Sequence, residues 1–293
     1  MPELGYFAPD EYLKPNSIEE VVNLLQRYGD KARIVAGGTA LYELAKRGMI
    51  PQVKKMIDLE YLNLRYVRSD EEGIKIGCMV KIYELANSPI LDIHPYYSIK
   101  EAALNIRPVQ IRNMATVGGE ICSAIPFLDL PTVFLALDAK LRIIGPKGER
   151  KIDMDGFYFD YFLTSLGNGE FVIEVMIPKL PDKTGSAFLK FERTAVDLPL
   201  VNVGVSLMNK NGECKNVRIA LGGGRTHVRI KSLERALEGK RFNDKILDDI
   251  VQSLSDEFKP ISSAHASTEY KLEIAKILLR DALLIAYKRS QGD

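Results

Sequence analysis

Ile34-Val-Ala-Gly-Gly-Thr-Ala-Leu41 is the stretch on which the reading of the fold turns. An apolar run enters two glycines and a threonine, and a helical pattern follows. Upstream, Ser17-Ile-Glu-Glu20 is a capping box, with Val21, Leu24 and Leu25 at helical spacing and Gly29 as the stop. A strand is expected over 33–36. Leu41, Leu44 and Ala45 restart a helix that Gly48 and Pro51 end. The local order is helix, strand, Gly-Gly, helix. Backbone turning into a helix offers unpaired N–H groups and the positive end of the helix dipole, and glycine keeps side chains from holding an anion away. Thr39 adds a hydroxyl. Such a turn suits a phosphate, although alone it reads first as a plain strand-to-helix connection. Neither G-x-G-x-x-G nor G-x-x-x-x-G-K-[ST] occurs there, which disfavours the familiar dinucleotide and P-loop sites.

The chain has 293 residues, room for about two domains. Forty Lys and Arg oppose 39 Asp and Glu, so no charge excess favours nucleic acid or an anionic membrane. The N-terminal MPELGYFAPDEYLKP has no signal-peptide pattern, and no apolar run approaches a membrane span. Three scattered cysteines, Cys78, Cys122 and Cys214, fit a reducing cytoplasm. They are too few for an ordinary iron–sulfur cluster, and His94, His227 and His265 are not spaced with them for zinc.

Strands are expected over 53–59 and 74–80, and helices over IYELANSPIL, over 98–106 and from Asp129 onward. LRIIGPKGERKI reads as a hairpin and FVIEVMIP as a buried strand. Residues 178–185, rich in Pro, Gly and charge, read as a linker between a domain at 1–177 and another at 186–293. In the second domain 201–208 alternates, Asn211-Gly212 is a hairpin turn and 216–221 is the return strand. Three amphipathic helices follow, ending with one from about Ser267 to Tyr287. Strands followed by helices indicate an α+β fold. Gly222-Gly-Gly224 reads as a sharp connection after the hairpin.

Thr116-Val-Gly-Gly119 is a second Gly-Gly loop with a hydroxyl residue. Two such loops can grip a long dinucleotide from both sides. Asp129, ahead of Leu130 and Pro131, suits a helix N-cap, and it also suits a ribose or ribityl hydroxyl.

AGGTALYELAKRG resembles the AGG-x-S-L-x-x-x-x-K motif of the FAD-binding medium subunits of molybdenum hydroxylases, and IRNMATVGGEICSAIPFLDLPTVFLALDA resembles their second motif. ALGGGRTHVRIKSLERAL and SSAHASTEYKLEIAKILLRDAL also look like family segments, so the resemblance spans essentially the whole chain. It implies a two-part FAD-binding domain of the vanillyl-alcohol-oxidase (PCMH-like) type, its parts meeting near 53–60. A smaller α+β domain of the CO dehydrogenase flavoprotein type, an antiparallel sheet plus helices, follows. It places the FAD along Ile34, Val35, Ala36, Gly37, Gly38, Thr39, Ala40 and Leu41, and along Thr116, Val117, Gly118, Gly119 and Glu120. Asp129 matches an FAD-contacting aspartate, and Val172 and Lys190 lie near positions that contact flavin in some members.

The resemblance further implies an oxidoreductase in which a partner large subunit holds molybdopterin and a small subunit holds two [2Fe-2S] clusters. This chain would pass electrons through FAD to a terminal acceptor, in a dimer of heterotrimers acting on an aldehyde, carbon monoxide or a related substrate. The sequence departs from the pattern at three places. Glu120 stands where Asn is usual, so only its backbone is expected to bind. Ile125 replaces an Asp, and the Arg common before Ser267 is absent. The subtype carrying an extra [4Fe-4S] is disfavoured by the cysteine count. Tyr83, Tyr158 and Tyr161 could stack on a flavin, but such residues are more often core. No catalytic residue is assigned and no metal site is expected in this chain. A stand-alone flavin oxidoreductase and an FAD-less scaffold subunit are the alternatives.

Overall fold

In the computed structural model, which describes residues 9–49 and 53–292, the chain opens with strand β1 (Glu11–Leu13) and helix α1 (Ile18–Tyr28). Pro51, expected to help end a helix, lies outside the described residues, as does most of the N-terminal stretch read for a signal. The capping box forms: Ser17 Oγ accepts from the Glu20 N–H at 3.1 Å, and Glu20 reaches back to the Asn16 N–H at 2.9 Å. Gly29, at φ +49°, stops α1 by donating to the Leu25 carbonyl. Strand β2 (Ala32–Val35) leads through the glycines into α2 (Thr39–Lys46), and β3 (Lys55–Asp58) completes a parallel sheet of order β1-β3-β2.

An antiparallel sheet follows. Strands β4 (Val67–Asp70) and β5 (Gly73–Gly77) precede five helices: α3 (Ile82–Ala86), α4 (Tyr97–Asn105), α5 (Val109–Met114), α6 (Val117–Cys122) and α7 (Asp129–Ala136). Then come β6 (Lys140–Gly145), β7 (Gly148–Asp153), the small hairpin β8 (Tyr158–Asp160) and β9 (Leu163–Thr164), and β10 (Phe171–Pro178). The sheet order is β4-β5-β10-β6-β7, so β10 returns late in the chain to sit at its centre. Val21, Ile57, Leu62, Cys78, Phe171 and Ile173 share one core that joins the parallel sheet to this one.

The third layer is built from β11 (Thr184–Phe191), β12 (Val201–Lys210), β13 (Glu213–Gly222) and β14 (Val228–Arg229), in that order and antiparallel. Asn211 and Gly212, both at positive φ, make the expected hairpin turn. Helices α8 (Lys231–Leu237), α9 (Asp244–Glu257) and α10 (Thr268–Arg289) cover one face, starting from Asn243 and Ser267 caps in the last two. Helix α7 contacts β12 and β13 from the other side. The alternation read in 201–208 therefore does not produce a solvated face, because Val201–Leu207 are buried throughout.

One expectation is corrected here. The segment read as a Gly-Gly loop at 116–119 is the cap and first turn of α6, since Thr116 Oγ1 accepts from the Gly119 N–H at 3.1 Å. The expected linker is mostly sheet at its ends, with Pro178 closing β10 and Thr184-Gly185 opening β11. Gly185 is needed there: a Cβ would run into the Ala286 carbonyl and lie 2.6 Å from the Ser290 nitrogen. Nearby, Arg289 clasps Glu101 of α4 and the Ser186 carbonyl, joining three elements. Gly185→Ala is expected to cost about 2–3 kcal/mol, as overpacking of a rigid contact does, read as a lowered denaturant midpoint at unchanged slope.

Candidate functional site

The two glycines of the first turn do different work. A Cβ on Gly37 would run into the backbone of Met114 and Ala115, so this glycine presses the first turn against the chain just before Thr116. Gly38 takes the left-handed conformation at φ +72°, and its missing Cβ would face only Val35 Cγ2 at 3.7 Å. It is the N-cap of α2 and supplies no side-chain acceptor. Among the described residues, the N–H groups of Gly37, Gly38, Thr39, Ala40 and Leu41 have no acceptor. The first to close is Tyr42, onto the Gly38 carbonyl at 2.9 Å. Unfilled donors at the positive end of a helix, beside a glycine with open space over it, make an anion cradle.

The second segment differs from its expected role as an equal clamp. The Val117 N–H donates to Val80 O at 2.9 Å, Gly118 to Cys78 O at 2.8 Å, and Glu120 to Thr116 O at 3.0 Å. With Gly119 held by Thr116, these donors are engaged inside the protein. The Glu120 backbone N–H, expected to bind, is among them. Gly118 is a packing glycine, its Cβ position 2.7 Å from Cys78 Cβ. Gly119 is less crowded, since a Cβ there would meet no backbone and only Thr116 Oγ1, at 3.1 Å. The Glu120 side chain does turn inward: Oε1 accepts from the Asp129 and Leu130 N–H groups at 3.0 and 3.3 Å. Glu120, not Asp129, thus caps α7, which corrects the N-cap reading of Asp129.

Asp129 is buried at the first position of α7. Its Oδ2 takes a bond from Lys190 Nζ at 2.9 Å and its Oδ1 from Asn202 Nδ2 at 3.2 Å. Lys190 also meets the Asn105 carbonyl at 2.7 Å and Glu192 at 2.8 Å. With Asn105, Arg107 and Phe191–Ala195, Lys190 lines an open cleft of ≈ 320 Å³. Burial pushes the Asp129 carboxyl up to about 6, against the pull of Lys190. Burial and then Asp129 push Glu120 up to about 8. Ile34 and Val35 are strand residues paired with Ile57 and Asp58. Val172 is a core residue of β10 and does not line the cleft. Tyr158 is held in the interior by Ile121 O at 3.2 Å, Tyr161 packs on Phe127, and Tyr83 is half exposed.

Sequence reasoning missed a polar chain behind Asp129. Asn202, fully buried, takes a bond from Thr132 Oγ1 at 2.7 Å, and Thr132 lies 3.0 Å from His227 Nδ1. His227 Nε2 sits 3.0 Å from the Ile125 carbonyl. The available signals were slight: one Asn in the apolar run VNVGV and one Thr in DLPTVFLA.

The open donors of the α2 turn suit an anion such as a diphosphate. Residues 7–180 match the family described as the FAD binding domain in molybdopterin dehydrogenase. The chain belongs to that family. Residues 186–286 match the CO dehydrogenase flavoprotein C-terminal domain. This flavoprotein chain is 30% identical to the 6-hydroxypseudooxynicotine dehydrogenase complex subunit alpha of Paenarthrobacter nicotinovorans, covering 96% of this chain and 95% of that one. It is 29% identical to the glyceraldehyde dehydrogenase medium chain of Sulfolobus acidocaldarius, with 92% and 96% covered. It superposes on a chain of carbon monoxide dehydrogenase from Hydrogenophaga pseudoflava with a TM-score of 0.92 and 30% identity, covering 96% and 98%. FAD is its cofactor, and it is a medium subunit of the molybdenum hydroxylase class of oxidoreductases. Its two-domain fold, with mixed helices and antiparallel sheets, is that of the family. Among the described residues no helix is long and apolar enough to cross a membrane.

Burial lowers the His227 imidazole to about 4. A histidine depressed in the fold favours the native state while neutral, and that contribution is lost as pH falls from its unfolded value near 6.5 toward 4. The His227 ring signals are therefore expected to stay those of neutral imidazole from pH 7 to 5 in an NMR titration.

Proposed function

We propose that this chain is the flavin-bearing relay of a three-chain oxidoreductase, placed between [2Fe-2S] clusters on a small partner chain and a terminal acceptor. A large partner chain holding molybdopterin carries out the oxidation. The substrate is an aldehyde, carbon monoxide or a related small molecule, chosen by that large chain, and the assembly is a dimer of heterotrimers in the cytoplasm. The relatives' names support this division, since nicotine-derived, aldehyde and carbon monoxide dehydrogenases share a chain like this one. Three dispersed cysteines agree with clusters being held elsewhere.

The observation that carries the reading is the set of donors from Gly37 to Leu41 left open among the described residues, with Gly37 pressed against Met114 and Ala115 just ahead of Thr116. FAD, when bound, exchanges electrons singly or in pairs. Ile34–Leu41 would hold its diphosphate through backbone N–H groups. Thr116, Gly119 and Glu120 would form the facing wall, and Asp129 would accept from a sugar or ribityl hydroxyl. Lys190 fixes Asp129 as the ionised acceptor. Val117 and Gly118 act behind that wall by packing on Val80 and Cys78. Val172 supports it from the core. The proposed domains are 1–177 and 186–293, with 178–185 as the linker between them.

The purified chain is expected to show flavin bands near roughly 370 and 450 nm, at about one FAD per chain, and no organic oxidation without its partners. Turnover of an organic substrate by the chain alone would support the stand-alone reading instead. Substitution of Gly37 or Gly118 would clash with backbone and damage the fold, so neither tests the site. Gly119→Val is the better probe, because its Cβ meets only a side chain, Thr116 Oγ1 at 3.1 Å, and no backbone. It should lower FAD affinity by about tenfold or more, equivalent to about 1.4 kcal/mol, while moving the melting temperature of the apoprotein by only a few degrees. Full FAD affinity in this variant would overturn the site assignment.

A further inference from the structure

Glu120 is a buried carboxyl with only half its bonding done. Oε1 caps α7 through the Asp129 and Leu130 N–H groups, while Oε2 is buried with no partner among the described residues. The neighbours that carry or can take charge are Asp129 on α7, Lys190 on β11 and Tyr158 on β8, with Cys122 two residues further along α6 near Tyr158. Lys190 is already shared among Asp129, Glu192 and the Asn105 carbonyl, so it has little charge left to neutralise a third anion. An ionised Glu120 would be an uncompensated buried charge next to Asp129, whereas a neutral acid keeps the helix cap and removes that cost.

We propose that FAD binding by this chain is linked to a proton on Glu120, which acts as a positioning residue in its neutral form and opposes the dinucleotide when ionised. The neutral acid holds the N-terminus of α7, and Asp129 with it, behind the proposed FAD site. Its Oε2 is buried and meets no partner among the described residues, so the neutral acid leaves no charge there. The ionised form presents a charge of the same sign as the FAD diphosphate, one residue beyond Gly119. The inference rests on the placement of FAD against Thr116–Glu120 proposed above.

The sign follows from linkage. Burial and Asp129 raise Glu120 to about 8, and a bound diphosphate raises it further. Between those two values FAD binding takes up a proton, so affinity falls as pH rises above about 8. FAD fluorescence titrations of the full-length apoprotein should show a Kd that rises approaching about tenfold between pH 7 and 9. In Glu120→Gln, which keeps the cap without the charge, the rise should shrink to less than about twofold. Parallel profiles for the two proteins, or a flat wild-type profile, would overturn the proposal. If the variant does not fold, calorimetric titration of wild type at pH 8.5 in two buffers of different ionisation heat decides. Uptake of more than about half a proton per FAD supports the proposal, and none refutes it. Full FAD affinity in Gly119→Val would instead sink the placement on which the inference rests, independently of the pH profiles.

Discussion

Helix α7 is an eight-residue helix with every residue buried, and the way its polar ends are satisfied governs how the molecule is put together. Buried backbone groups left unpaired are costly, so such a helix is tolerated only where partners are built for it. Glu120 supplies the N-terminal acceptor, and Ser206 Oγ donates to the Ala136 carbonyl at 2.6 Å near the other end. Between them Thr132 meets Asn202 and His227. Gly204 on β12 lets the helix lie close, since a Cβ there would be 3.0 Å from the Thr132 carbonyl. Ser206, Asn202, His227 and Lys190 all come from the C-terminal part, and Glu120 from the segment facing the first glycine turn. One helix thus registers the C-terminal sheet against the flavin-binding part, and a wall of the site is a product of that packing.

Much of this was legible locally. The capping box at Ser17, the Asn211-Gly212 hairpin, the Asn243 cap and the long last helix all rest on short-range chemistry that sequence displays directly. The strand starting at β2 and the helix after Gly38 followed from the same kind of signal. What escaped was set by contacts between distant segments. The alternation in VNVGVSLM suggests one solvated face, but α7 and α10 cover both. Val67–Asp70 was not read as a strand because only its pairing with β5 makes it one. The FAD assignment itself came from family resemblance across several segments rather than from the glycines.

The site was legible in its parts and misread in its balance. Two Gly-Gly pairs look alike in sequence, yet a hydrogen-bond census separates them. Around Gly38 the donors are open, and around Gly118 they are spent on Val80, Cys78 and Thr116. No propensity distinguishes these cases, because what differs is the chain lying opposite. The Asp129 cap was misassigned for the same reason: Glu120, nine residues earlier, reaches the helix end first.

Charge explains why, in the proposed site, the first turn would carry so much of the binding. The cations near the cleft are committed: Lys190 to Asp129 and Glu192, Arg107 to Glu192 at 3.1 Å, and Arg193 to Asp197 at 2.9 Å. A dinucleotide diphosphate therefore meets little surplus positive charge from side chains and must be held chiefly by backbone dipoles, which act within the first helical turn. Such a cradle works only at close approach, which is what Gly38 permits. It also leaves any added negative charge poorly screened, since buried charges are shielded far less than exposed ones. A site built on dipoles rather than on a lysine cluster is one where the protonation of a single nearby carboxyl, Glu120, carries weight.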